Sequence, residues 1–327
     1  MKVYYYFRCQ RPGNYSIENV FDPIVEALAD KLDTSVFYAS KPFDWYSIFR
    51  VMRKQADIHH ITGAENYLAL GLPSKKTILT VHDIGHLTNT LTGFKRKLYK
   101  SMFWNIPPIK KIHITTISEY TKQQILSNFS IKPEKITVIP NPVSRAFQKS
   151  YRPFDKDIPV ILQIGGGRNK NIESLIAAIK GIKCKLLLVR KPEQALRNLL
   201  LGSNIVHEFR YGLTIKEVVQ AYRDCDMVFF ASTYEGFGLP IIEAQATGRP
   251  VITGNVASMP EVLIEPGSAV MVSPLSVEEI RAAILRICAD TEFREGLINK
   301  GYINVKYFSV DIIAQRYFNL YNQMNGN

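Results

Sequence analysis

Short apolar runs alternating with longer helix-period segments constrain this chain more than any other feature. In the first half the strand-like runs are 3–7, 35–39, 57–61, 77–82, 112–117 and 136–139. Helical spacing fills the intervals near 17–32, 45–54, 94–103 and 119–128. The second half repeats the pattern, with strand-like runs at 160–164, 185–189, 205–209, 227–231, 251–253 and 269–272. Its helical segments fall near 172–179, 193–200, 215–222, 240–246, 277–288 and 291–304. Strands separated by helices pair in parallel, with the crossovers covering both sheet faces. The expected fold class is therefore α/β, with two Rossmann-like sheets. A length of 327 residues is more than one core usually organises, which also points to two domains. In such sheets the chemistry collects on loops leaving the C-terminal strand ends.

The stretch IPNPVSRAFQKSYRPFDKDIP holds four prolines and no strand or helix period, so it reads as the join between domains. The domains expected are 1–145 and 155–308. Beyond them, the tail 309–327 carries an apolar stripe at Ile312, Ile313, Tyr317, Leu320 and Tyr321, which predicts a closing amphipathic helix with Ser309 as its N-cap.

The net charge is +12. Residues 1–150 hold 21 Lys and Arg against 11 Asp and Glu, so most of the excess lies in the first half. Such a balance suits nucleic acid, anionic lipid or a phosphorylated small molecule, and composition does not choose among them. The sharpest basic run lies within 93–111, where Lys95, Arg96, Lys97, Lys100, Lys110 and Lys111 are interleaved with Phe94, Tyr99, Phe103 and Trp104. A helix with a solvated basic face is one reading of residues 94–111. Peripheral contact with an anionic membrane is the other. No nucleic-acid-binding motif accompanies the run, so nucleic acid is not expected as a partner. No apolar run reaches the ~18 residues of a membrane span, and no signal-peptide core follows Met1. Cys9, Cys184, Cys225 and Cys288 are widely spaced, as in reduced cytosolic proteins, and form no zinc pattern.

The stretch STYEGFGLPIIEAQATGRP, residues 232–250, carries the clearest chemistry. A buried-type strand precedes it. Gly236 and Gly238 turn the chain, Pro240 suits a first helical turn, and Gly248 suits its end. The free N–H groups near Phe237, Gly238 and Leu239 favour an anion. Glu235 and Glu243 repel an anion, so they should meet hydroxyls instead. A nucleotide-sugar supplies both, with Glu243 on the ribose diol and Glu235 on the sugar. Upstream, QIGGGRNKN follows a strand and opens a helix. Gly165, Gly166 and Gly167 allow close backbone approach to a ligand, while Arg168 and Lys170 offer charge for phosphate. The spacing matches neither a G-x-G-x-x-G fingerprint nor a Walker A loop. His82, in TVHDIGH, ends a strand at the ligand-binding edge, whereas His59, His60 and His86 are expected to be structural.

These residues resemble the GT-B retaining glycosyltransferases of glycosyltransferase family 4. Glu235-GFGLPII-Glu243 is similar to that family's E-x7-E signature, and likeness extends through DIHHITG, TILTVHDIGHL, TTISEYTKQQIL, ITVIPNPV and LQIGGGRNKNIESLIAAI. The resemblance implies two Rossmann-like domains facing each other across a cleft. The first binds the acceptor and the second the donor, with the tail packing back on the first. It implies transfer of a hexosyl group from a UDP- or GDP-sugar to a saccharide or lipid-linked acceptor, in surface polysaccharide or glycolipid assembly. It also implies no cofactor or metal, and a cytoplasmic protein at the inner membrane face. His82, Glu235 and Lys170 are the catalytic candidates. Gly166, Gly167, Arg168, Lys170, Phe237, Gly238, Leu239 and Glu243 are the donor-binding candidates. Glu261 resembles a position near the nucleotide, and Arg11 and Gly13 lie in the first loop. The alternatives are a GT-B fold epimerase and a non-catalytic nucleotide-sugar-binding partner.

Overall fold

The computed structural model describes residues 1–9, 17–41, 44–85, 92–93, 100, 104–106 and 110–326. In chain order the first elements are β1 (Lys2–Phe7), α1 (Glu18–Ala27), β2 (Asp33–Tyr38), α2 (Tyr46–Met52), β3 (Ile58–Ile61), β4 (Thr77–Val81), β5 (His113–Thr116), α3 (Glu119–Asn128) and β6 (Ile136–Val138). Next come β7 (Val160–Ile164), α4 (Ile172–Ile179), β8 (Lys185–Val189), α5 (Gln194–Gly202), β9 (Val206–Arg210), α6 (Ile215–Asp224), β10 (Met227–Phe230) and α7 (Leu239–Thr247). The chain closes with β11 (Val251–Gly254), β12 (Val270–Val272), α8 (Val277–Ala289), α9 (Thr291–Lys306) and α10 (Val310–Asn325). A 3-10 turn at Asn66–Gly71 had no period from which to be predicted.

Two compact units result. Met1–Pro142 and Ser309–Asn327 form the first, and Val143–Phe308 the second. Each holds one six-stranded sheet in which every pairing is parallel, with orders β2-β1-β3-β4-β5-β6 and β12-β11-β10-β7-β8-β9. A parallel sheet cannot leave a central strand facing water, so its middle strands read as unbroken apolar runs. β4 (TILTV) and β10 (MVFF) are buried at every position.

The first unit's core is unusually polar for its position. β3 reads IHHI and is wholly buried. His59 Nδ1 lies 2.8 Å from the Tyr6 hydroxyl. His60 Nδ1 lies 2.6 Å from Tyr321 Oη, and its Nε2 lies 2.7 Å from Thr80 Oγ1, which continues to Thr115 Oγ1 at 2.6 Å. This chain of bonds runs from α10 through three adjacent strands. It satisfies polar groups that would otherwise be costly to bury. The stripe on α10 buries Ile313, Tyr317, Leu320 and Tyr321 against this core, and Ser309 caps the helix by accepting the Ile312 N–H.

The proline-rich stretch, read from sequence as a join, is fastened to the second unit. Arg152 Nε donates to Asp226 at 3.0 Å, and Asp226 also accepts the Val160 N–H at 2.8 Å. Arg249 donates to the Ser150 carbonyl and hydroxyl, each at 3.0 Å. Prolines remove backbone donors, so side chains from elsewhere hold the segment. The same Arg249 donates to the carbonyls of Tyr222 and Arg223, at the C-terminal turn of α6. A cation there complements the negative end of the helix.

Burial lowers the pKa of His60 to about 3, and those of His59 and His113 to about 4. All three are therefore neutral in the folded first unit at pH 6, whereas an unfolded histidine titrates near 6.5. The unfolded state binds more protons between those values, so stability falls as pH drops below about 6.5. Protection factors on the first unit's sheet, corrected for the slower intrinsic exchange at lower pH, should fall between pH 6.5 and 5, and His60→Gln should weaken that dependence.

Candidate donor site

In the second sheet β7 and β10 lie side by side, and the strand order runs outward from them in opposite directions. That reversal is the topological switch point, where open parallel sheets hold ligands beyond their C-terminal strand ends. The loops leaving β7 and β10 are stitched together there. The Thr233 N–H donates to the Asn169 carbonyl at 2.8 Å. Asn169 Nδ2 donates to the Tyr234 carbonyl at 3.0 Å. Asn171, held in a left-handed conformation at φ 54°, donates from Nδ2 to the carbonyls of Ala231 and Pro274. Between these rungs Lys170 Nζ meets Glu235 Oε1 at 2.6 Å, and lies 4.6 Å from the Phe230 ring centroid. Both side chains of the pair are mostly buried.

The loop needs its glycines unequally. Gly165 has φ +95°, and a Cβ there would lie 2.7 Å from Lys170 Cε. Gly167 has φ +100° and precedes the 3-10 turn Arg168–Lys170. A Cβ on Gly166 meets nothing within 4 Å. Within the protein, the close contact is therefore at Gly165, against Lys170. Arg168 is exposed, and its guanidinium makes no hydrogen bond or ion pair among the described residues. Nothing joins it to the Lys170–Glu235 pair.

The start of α7 is open. Gly238 stands at φ +125°, no side chain caps the helix, and Pro240 occupies its first turn. Among the described residues the N–H groups of Phe237, Gly238 and Leu239 make no hydrogen bond. The Ser258 hydroxyl, 2.9 Å from the Glu235 carbonyl and 2.8 Å from that of Phe237, holds the turn in place. One turn into the helix, Glu243 Oε2 accepts the Tyr222 hydroxyl at 2.6 Å. Burial raises the Glu243 carboxyl to about 7, against the Tyr222 hydrogen bond and the Lys170 charge, both of which lower it.

Two further residues escaped the sequence reading. Tyr222 lies on α6 and shows no motif, because its partner is 21 positions away. Arg190 directly follows β8, beside the β7 loop in register. It is 7% exposed, and among the described residues only its Nη2 finds a partner, Glu193, at 3.0 Å, while Nε and Nη1 find none. Buried donors without partners are rare, and they mark positions where a ligand can supply the missing acceptors. Glu261, by contrast, is an exposed residue of a 3-10 turn.

In the first unit, His82 follows β4. Its Nε2 lies 2.8 Å from the Thr62 carbonyl, and Gly63, at φ +143°, leaves room for the ring. A carbonyl only accepts, so Nε2 carries the hydrogen. Burial lowers the pKa and favours the neutral ring. The nitrogen left over, Nδ1, is then an acceptor. Asp83 accepts the Gly85 N–H at 2.8 Å, a local structural role. Arg11, Gly13, His86 and most of 94–111 lie outside the described residues. Among those described, no three His, Cys, Asp or Glu side chains gather as a metal site, and no helix is long and apolar enough to cross a membrane.

Two all-parallel sheets, the second with an uncapped helix start and a cation at its switch point, define an α/β protein of the GT-B class. Comparison with known proteins agrees. Residues 144–303 match the family model for glycosyl transferases group 1, and residues 16–147 match that for glycosyltransferase family 4. An uncharacterized glycosyltransferase of Methanocaldococcus jannaschii is 27% identical over 64% of this chain and 59% of its own length. The O-antigen chain mannosyltransferase B of Escherichia coli is 25% identical over 76% of this chain and 70% of its own. The structure of Anabaena HepE in complex with UDP and glucose superposes with a TM-score of 0.78 at 15% identity, covering 98% of this chain and 99% of that one. The chain belongs to the GT-B glycosyltransferases of the family 4 type.

Two outcomes test the site. Gly165→Ala should push Lys170 off Glu235 and weaken nucleotide-sugar binding about tenfold or more, with a far smaller loss of fold stability, as measured by calorimetry and thermal melting. A ribose diol donates best to an ionised carboxylate, so binding should lower the Glu243 pKa from about 7 and release protons near neutrality. Affinity for a nucleotide-sugar, whose diphosphate does not titrate in this range, should rise between pH 6 and 8. Glu243→Gln should abolish that rise.

Proposed function

We propose that the protein transfers a sugar from a UDP- or GDP-sugar to a hydroxyl of a saccharide or lipid-linked acceptor, in the assembly of surface polysaccharide or glycolipid. One observation carries the reading: the unbonded N–H groups that open α7 stand on the turn between Glu235, paired with Lys170, and Glu243, one turn into the helix. The amides and Lys170 suit a diphosphate, and the carboxylates suit hydroxyls on either side of it. The UDP and glucose named in the HepE structure and the mannosyl transfer named for the E. coli relative support the same class of ligand.

In this reading the bond between the anomeric carbon and the diphosphate oxygen breaks, and the diphosphate leaves with the electron pair. The α7 amides and Lys170 stabilise that charge by preorganised electrostatics. The acceptor oxygen bonds to the anomeric carbon on the same face, and its proton passes to the departing phosphate oxygen, so configuration is retained. Glu235 holds sugar hydroxyls and Glu243 holds the ribose. His82 accepts from a hydroxyl through Nδ1. The Arg190 donors lie at the neighbouring strand end, where they would meet the nucleotide.

A thermal-shift screen of nucleotide-sugars, followed by transfer assays with the stabilising donor, tests the reading. Glu243→Ala should weaken donor binding by about 2–3 kcal/mol, the scale of a lost charge-assisted hydrogen bond. Lys170→Ala should cut turnover far more than it changes melting temperature. Unchanged affinity in the first variant would overturn the ribose assignment, and intact turnover in the second would overturn the diphosphate role. Binding with no transfer to any acceptor would favour a non-catalytic partner. Epimerised sugar as the product would favour an epimerase.

A further inference from the structure

The first unit exposes an apolar and basic surface that the donor site does not use. On α2 and just before it, Tyr46 is 71% exposed, Phe49 63%, Met52 62% and Trp45 41%. Ser47 and Val51, a turn apart on the opposite side, are buried. A helix places 45, 46, 49, 52 and 53 on one continuous arc, so the outward face is built of large apolar side chains. The patch extends past the helix. Packing between α2 and the Asn66–Gly71 turn is so close that a Cβ on Gly71 would lie 2.7 Å from the Ile48 carbonyl and 3.1 Å from Met52 Cγ. That turn contributes Leu70, 43% exposed. Trp45 leans on Tyr67 of the same turn at 5.4 Å, and Tyr46 on Phe49 at 6.5 Å.

Cations predominate around this surface, although Asp57, which accepts the Lys2 N–H, lies beside Met52 and Lys54. Lys41, Arg50 and Arg53 are exposed, and Lys54 is half-buried. Arg50 reaches back to Ser40 Oγ at 2.8 Å and Lys54 lies over the Tyr4 ring, so neither is neutralised by an acid. Between residues 41 and 56 the only carboxylate is Asp44, which is buried and accepts the Ser47 hydroxyl at 2.7 Å. A monomer gains nothing by exposing Trp, Tyr, Phe and Met together, and apolar surfaces of this kind mark docking sites. Aromatic and aliphatic side chains ringed by unpaired cations fit the headgroup layer of an anionic bilayer, where rings enter the interface and cations meet phosphates.

We propose that α2, with Trp45 and Leu70, docks the protein on anionic membrane surfaces. The assignment does not rest on the sugar-transfer reading, and it differs from the contact expected at 94–111. The chain carries its own probe: its two tryptophans are Trp45, exposed, and Trp104, which is buried and stacked on Phe129. The full chain is floated with phosphatidylcholine vesicles and with vesicles enriched in phosphatidylglycerol, and brominated lipid is used to quench tryptophan emission. The expected result is co-flotation with the anionic vesicles only, with a blue shift and quenching that Trp45→Phe abolishes while flotation persists. Phe49→Ser should abolish flotation, and Arg50→Ala with Arg53→Ala should weaken it roughly ten- to thirtyfold. These side chains are exposed, so the thermal melt of each variant should match the parent. Absence of flotation on anionic vesicles would overturn the proposal, as would flotation without quenching of Trp45. So would self-association that Phe49→Ser dissolves, which would assign the patch to a second copy.

Discussion

Everything at the donor site depends on two loops being held as one. The segments 169–171 and 231–235 leave neighbouring strands and meet rung by rung: backbone to backbone at Asn169 and Thr233, side chain to backbone at Asn169 and Asn171, and charge to charge at Lys170 and Glu235. Only adjacent strand ends permit this, and β7 and β10 are adjacent because the strand order reverses between them. Topology thus comes first and chemistry follows. Loops so bound lose little further freedom when a ligand arrives, which is the condition for electrostatic stabilisation without reorganisation.

The Lys170–Glu235 pair also sets the resting charge of the site. A buried cation without a partner is expensive, and so is a buried carboxylate. Paired, each offsets the desolvation cost of the other. Glu243 follows a different course. It has a hydroxyl partner in Tyr222 but no ion pair among the described residues, and burial raises its proton affinity. Two carboxylates eight positions apart in sequence are therefore held in different ways, one by an ammonium group and one by a phenol.

Much of this was legible beforehand. All twelve strand runs lie within a residue or two of the observed strands, and central strands such as β4 and β10 are buried at every position. The helix start at Gly238 and Pro240, and its end at Gly248, followed from backbone chemistry alone. What sequence could not show was side-chain convergence from distant positions. Tyr222 meets Glu243 only because α6 and α7 pack together, and Arg190 reaches a ligand-binding edge only through the register of β8. The three glycines at 165–167 looked equivalent as letters, yet only the path of Lys170 distinguishes Gly165 from Gly166. The join at 141–159 looked loose because the prolines that break a period say nothing of Asp226 and Arg249, which hold it.

The return of α10 to the first unit has a consequence for how the molecule is made. The Tyr321 hydroxyl that closes the polar chain through His60 leaves the ribosome after the whole second unit, whereas β1 leaves before it. The second unit is continuous between Val143 and Phe308, and all of it is synthesised before that bond can form. Amino-terminal domains ordinarily mature first during translation. Here the first unit's sheet waits with His60 lacking its Tyr321 partner while the second unit emerges, and α10 acts as the latch.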